Sequence, residues 1–201
     1  MKKIILLASL CLAGVQASQA QHFSHGVGVG IFVEDAEMAD AKGSFTFTYS
    51  PRFSFAETDK TSFSIGIPLN VGFSGSYNAN YDSYYGYSEE NTLGYMINVP
   101  LMLNFNIGAG SARGCQNRMG YFIGAGYAYH VGSVNEVLLD ENGYEYQDSN
   151  TEYSTGFAAN IGLRIGVGYK KKHNIEIRTS YMKGVTSYKP NVFGVNCLFN
   201  F

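Results

Sequence analysis

The chain has no tryptophan, only four prolines and only three cysteines in 201 residues. Cys11 lies in the N-terminal apolar run, which leaves Cys115 and Cys197, too few for a disulfide-stapled secreted scaffold. Beyond that run no segment is apolar enough to cross a bilayer as a helix, which takes roughly 20 such residues. Heptads, blocks of like charge and low-complexity linkers are also missing, which excludes coiled coils and disordered tails. Formal net charge is −2, and basic residues are not interleaved with aromatics, so nothing points to a nucleic-acid partner.

The first residues read as a secretory signal peptide. Lys2 and Lys3 supply a positive start, Ile4 to Val15 is largely apolar, and Ser18-Gln19-Ala20 offers small residues for cleavage. The bulky Leu10 before Cys11 argues against a lipoprotein anchor. The expected division is a signal peptide, 1–20, and one mature domain, 21–201.

What the chain has in quantity is Gly (24), Tyr (16) and Phe (14), a composition of many short strands with aromatic ends. Period-two alternation then dominates. Phe63, Ile65, Ile67, Leu69, Val71 and Phe73 share one face, against Ser62, Ser64, Gly66, Asn70 and Gly72. Strands led by Phe23, Phe45, Leu93, Tyr121, Phe157, Ile175 and Phe193 repeat the scheme, giving eight strands of about 9–11 residues or somewhat more. Alternation alone also fits a soluble sandwich, but a soluble protein faces water with Lys, Glu, Gln and Thr. Here the second face is mostly Gly, Ser and Asn, which suits the crowded interior of a narrow barrel, and the apolar face is almost free of charge. The expected fold is all-β: a closed eight-stranded antiparallel transmembrane up-and-down β-barrel. Closure removes the open edges that lipid forbids.

Connections alternate in length, with long ones at roughly 34–42, 75–91 and 132–152 and short ones at 56–61, 109–118 and 170–173. Long loops belong outside the cell and short turns in the periplasm. Of the 16 acidic residues, 13 fall in the long connections, where only Lys42 opposes them; the short ones carry Lys60, Arg113, Arg118, Lys170, Lys171 and Lys172. Solvation accounts for acidic loops, and recruitment of divalent cations is the alternative, although no EF-hand spacing is present.

Arg52, Arg164, Glu176 and Arg178 fall on the inward phase, nearer the short turns, and are expected to form a charge network that plugs the lumen. Pairing about the Lys170–Lys172 turn sets Arg178 close to Gly166. Cys115 and Cys197 are expected to be free thiols far apart, Cys115 open to water-soluble reagents. Tyr77, Tyr81, Tyr84, Tyr85 and Tyr87, set among Ser, Asn and Gly, make a candidate partner-binding loop; aromatics also anchor at membrane rims.

The signal peptide, the eight alternating strands and the terminal Phe201 resemble the OmpA/OmpX-type barrels, and more closely the small outer-membrane β-barrel proteins common in Bacteroidetes. The resemblance spans the mature chain through pattern rather than motif. It implies residence in the bacterial outer membrane, contact with its lipid, and reading of Phe199 and Phe201 by the barrel-assembly machinery. Asn196 stands where that signal usually has Gly. Members include adhesins, stability factors, secretion accessories and a few enzymes, so the resemblance narrows place more than task.

His130 with Ser133 and Glu136 brings a nucleophile near a base, but the spacing from His130 to Ser133 sends the two to opposite faces of a strand. His22, His25 and His173 form no metal set with the cysteines. Gly26-Val27-Gly28-Val29-Gly30 alternates at strand period with no helix after it, so it is no phosphate loop. No catalytic residue, cofactor or metal is expected. Three tasks remain: a surface module binding an extracellular or outer-membrane protein or glycan, a purely structural membrane component, or a lipid-modifying enzyme. The first is the expectation adopted.

Overall fold

The computed structural model describes residues 21–36, 39–82, 86–139, 145–186 and 189–201; the expected signal peptide lies outside them. Nine antiparallel segments follow one another: β1 (His22–Ala36), β2 (Ala39–Phe55), β3 (Thr61–Gly66), β4 (Leu69–Asp82), β5 (Gly86–Gly108), β6 (Met119–Leu139), β7 (Glu145–Val167), β8 (His173–Gly184) and β9 (Asn191–Asn200). β3 and β4 are two halves of one stave, since both pair with β2 on one side and β5 on the other, so the ring has eight staves. β1 pairs β9 from Gly26↔Asn200 to Asp35↔Asn191 and closes the ring. His25 and Phe201 extend that seam, each donating its N–H to the other's carbonyl, at 2.9 and 2.8 Å.

The expected third strand is thus interrupted, and proline is the reason. Pro68 falls between the pairs Gly66↔Met102 and Asn70↔Asn98, which puts it level with Pro100. Two residues without an N–H leave a gap in the ladder, yet the register is the same on either side. Side chains bridge the gap. Asn70 Nδ2 donates to the Asn98 carbonyl at 3.1 Å, Thr48 Oγ1 donates to Asn70 Oδ1 at 2.9 Å, and Asn196 Nδ2 donates to Thr48 Oγ1 at 2.8 Å.

Within the ring the even-numbered residues point inward and the odd-numbered ones outward. The outward set is the apolar one, as in Phe47, Ile65, Leu101, Ile123 and Phe157, the last 68% exposed. Such a surface is stable against acyl chains and not against water. Aromatic girdles bound it. At the end carrying the short turns, Phe201 stacks on His25 with centroids 5.8 Å apart, and His173 on Phe199 at 5.6 Å. At the hairpin end, Tyr127 and Tyr181 turn their hydroxyls to Thr155 and Asn191.

Two expectations are corrected at the hairpin end. The segments 34–42, 75–91 and 132–152 are mostly ladder rather than loop: β1 and β2 pair up to Ala36↔Ala39, β4 and β5 up to Asp82↔Gly86, and β6 and β7 up to Leu139↔Glu145. Strands consequently reach 23 residues in β5 and β7, about twice the expected length. The hydrogen-bond ladder continues there because these stretches lack proline, the residue that interrupts it at Pro68.

Candidate functional site

A buried charge layer fills the half of the lumen nearer the short turns, and it is built from the four residues expected there. Glu176 is fully buried at the centre. Its Oε2 accepts from Arg52 Nη1 at 3.1 Å, Arg164 Nε at 2.7 Å and Asn200 Nδ2 at 3.1 Å. Its Oε1 accepts from Arg178 Nε at 2.9 Å and Nη2 at 2.5 Å. The outer ends of the guanidinium groups are held by polar neighbours: Arg52 by Asn200 Oδ1, Arg164 by Asn106 Oδ1, and Arg178 by Ser50 Oγ. Beneath them lies the Phe122 ring, 4.4 Å from Arg164 Cζ and 5.7 Å from that of Arg178. Such a ring face favours a cation.

One register differs from expectation. Arg178 lies opposite Gly162, and Gly166 faces Asn174. The turn takes up residues 168–172, with Gly168 at φ 79° and a short 3-10 turn at Tyr169–Lys171, so that β8 restarts at His173 opposite Val167. The shift brings Arg164 directly opposite Glu176, which tightens the network rather than dissolving it.

Above the charge layer the lumen is apolar, which the small polar pattern did not foretell. Phe32, Met96, Met102, Ala128, Ala158, Met182 and Val192 form one buried cluster. Glycines on neighbouring strands make room for the large members: a Cβ on Gly194 would meet Phe32 at 2.6 Å, and one on Gly72 would meet Met96 at 2.6 Å. The cavity left within this layer is about 20 Å³, space for about one water.

A second polar group sits toward the hairpin end. His130 is 1% exposed, and its Nε2 lies 3.2 Å from Glu34 Oε1, yet neither ring nitrogen has an aligned hydrogen-bond partner. Ser133 is buried rather than turned to the outer face, which corrects the one-residue slip. The β5–β6 ladder ends at Met96↔Gly132, and in the widening gap Ser133 Oγ accepts from the Tyr95 N–H at 3.1 Å and from Lys42 Nζ at 2.5 Å. Ser133 and His130 therefore make no nucleophile–base pair. Lys42, the sole cation among the acidic connections, folds inward to reach Ser133.

Of the candidate loop tyrosines, Tyr77 pairs with Asn91 and Tyr81 with Tyr87 in the β4–β5 ladder, while Tyr84 and Tyr85 lie outside the described residues. Phe199 and Phe201 both face outward at the seam. Cys115 and Cys197 are free thiols. Cys197 is exposed on the apolar face, but Cys115 is buried, contrary to the expectation that water-borne reagents reach it.

No protein-family model and no curated protein matches this chain. Among solved structures the fold is that of small outer-membrane β-barrels. Ail, the attachment invasion locus protein of Yersinia pestis, superposes with a TM-score of 0.51 at 8% identity, over 90% of this chain and 99% of its own. Neisserial surface protein A gives 0.52 at 11% identity, over 90% and 98%.

Proposed function

We propose that the protein is a bacterial outer-membrane barrel that acts as a surface binding module through two tall hairpins. Its short turns and both chain ends then face the periplasm, as an even number of staves requires. The observation that carries the reading is the height of the hairpins above the ring. The last β2–β4 pair is Phe45↔Phe73, after which β4 and β5 continue alone from Ser74↔Gly94 to Asp82↔Gly86, about 30 Å at the usual rise per residue. β6 and β7 likewise continue alone from Ser133↔Thr151 to Leu139↔Glu145, about 23 Å.

These ribbons carry unpaired outer edges among the described residues, and an exposed edge can take an added strand from a partner through main-chain hydrogen bonds. Their sequences add tyrosine and acid: Tyr77, Tyr81 and Tyr87 on one, Glu136, Glu145 and Asp148 on the other. Tyr supplies rigid contact area at low entropic cost. An extracellular protein is the partner class such edges suit best. A catalytic task finds less support, because Ser133 is held by Lys42 and Tyr95 and not by His130.

The test excises residues 77–91 and joins Ser76 to Thr92 by a two-residue Asn-Gly turn. Cells displaying the intact barrel should adhere to immobilised extracellular proteins, and cells displaying the trimmed barrel at equal level should not. Equal adhesion by both would assign the task elsewhere.

A further inference from the structure

Three guanidinium groups and one carboxylate leave the buried charge layer with an excess of two positive charges. Glu176 has no capacity left, since its two oxygens already take five donors. Arg164 and Arg178 lie against the Phe122 face. Arg52 has no such support, and its buried Nε has no hydrogen-bond partner. Arg52 also borders a cavity of about 450 Å³ at the mouth carrying the short turns.

The other walls of that cavity carry cations too. Arg113, Lys171 and Lys172 line it beside the His22 and His173 rings, and among the described residues no Asp or Glu side chain does. An anionic group lies close by, Glu57, which is already engaged by His22 and by the Arg113 N–H. Lys171 gives one proton to the Gln116 carbonyl, which leaves two donors on its ammonium.

We propose that this mouth is a binding site for a divalent oxyanion of the phosphate or phosphate-ester class. Arg113, Lys171 and Lys172 hold it at the rim, and the excess charge of the layer, which reaches the cavity at Arg52, draws it inward. Two negative charges offset the excess that Glu176 leaves, and guanidinium and ammonium donors match phosphate oxygens. The cavity is larger than a bare phosphate requires, so an esterified group fits. A soluble phosphomonoester and the phosphomonoester headgroup of an adjoining lipid of the phosphatidic acid kind are the two sources of this chemistry. The inference stands apart from the hairpin reading, because it concerns the opposite end of the barrel.

The experiment titrates pyrophosphate into the refolded mature protein in a nonionic detergent, followed by calorimetry. One saturable site is expected, weakened at least tenfold in Arg113→Ala and in Lys171→Ala/Lys172→Ala, and unchanged in Lys189→Ala at the far end. The rim residues lie in turns outside the ladder, and gel heat-modifiability verifies that each variant is folded. Repeating the titration in nanodiscs separates the sources. Affinity that falls when phosphatidic acid joins phosphatidylcholine identifies a lipid headgroup as the competitor, and unchanged affinity identifies a soluble ligand. Absence of saturable binding, or equal weakening by Lys189→Ala, overturns the proposal.

Discussion

Replacing Glu176 by Ala should be the most damaging single change in the lumen. The substitution removes the acceptor of five charge-assisted hydrogen bonds and strands three guanidinium groups in a layer sealed on one side by apolar side chains. Breaking a buried ion pair by deleting one partner costs about 3–5 kcal/mol, because the charge left behind has lost its compensation. The five bonds are not additive, since each arginine keeps a second partner in Asn200, Asn106 or Ser50. With a urea dependence of about 2 kcal/mol per molar, the midpoint should fall by about 1.5–2.5 M. The chain has no tryptophan, so circular dichroism and the gel shift between boiled and unboiled samples are the readouts. Glu176→Gln preserves shape while leaving the layer fully cationic, and should recover only part of the loss. Glu136→Ala, on a projecting hairpin, should stay within about 0.5 kcal/mol of wild type. Equal tolerance of Glu176→Ala and Glu136→Ala would refute the assignment of the network as a structural plug.

Three further outcomes are expected. In planar bilayers the protein should show negligible conductance, because the cavity within the apolar layer is only about 20 Å³; large steady currents would show that the layer opens. In proteoliposomes Cys197 should react with a lipid-soluble maleimide, whereas buried Cys115 should stay unlabelled by a water-soluble one until the barrel unfolds; rapid aqueous labelling of Cys115 would contradict its placement. Gly28→Ala should impair closure, since its Cβ would meet the Cys197 carbonyl oxygen at 2.0 Å across the β1–β9 seam, while Gly43→Ala meets nothing within 4 Å. The first should cost at least the 1–3 kcal/mol or so typical of overpacking and the second almost nothing, and urea midpoints compare them.

The ring and its inside-out polarity were legible because lipid imposes strict alternation on every stave. Phe63 to Phe73 against Ser62 to Gly72 is enough to separate the faces. The charge layer was legible for the same reason: Arg52, Arg164, Glu176 and Arg178 are conspicuous on a face otherwise small and polar. The register at Arg178 was not, since it depends on how many residues the Gly168–Lys172 turn consumes. The hairpins read as loops in sequence because their Tyr, Ser, Asn and Gly content is that of loops and their apolar alternation is weak. The apolar lumen layer was missed because its signal is pairwise. Phe32 fits where a neighbouring strand has Gly194, and Met96 where it has Gly72, and such complementarity is visible only once strands are in register.

An interior filled in layers leaves the ends of the barrel as the places where function can act, and the two ends differ in kind. At one end, acidic and tyrosine-rich ribbons rise on their own backbone ladders, and among the described residues no strand of the ring pairs with them beyond Phe45↔Phe73 or Met96↔Gly132. Their sequences can change without disturbing the Arg–Glu layer or the methionine cluster, the arrangement expected where a rigid scaffold carries recognition in its extensions. At the other end the cationic mouth is joined directly to the plug through Arg52, which both pairs with Glu176 and lines the cavity. An anion held at that mouth would therefore act directly on the plug as well as on the rim. An anion that raises the urea midpoint of the wild-type barrel, but not that of the rim variants, would have to be held by Arg113, Lys171 and Lys172.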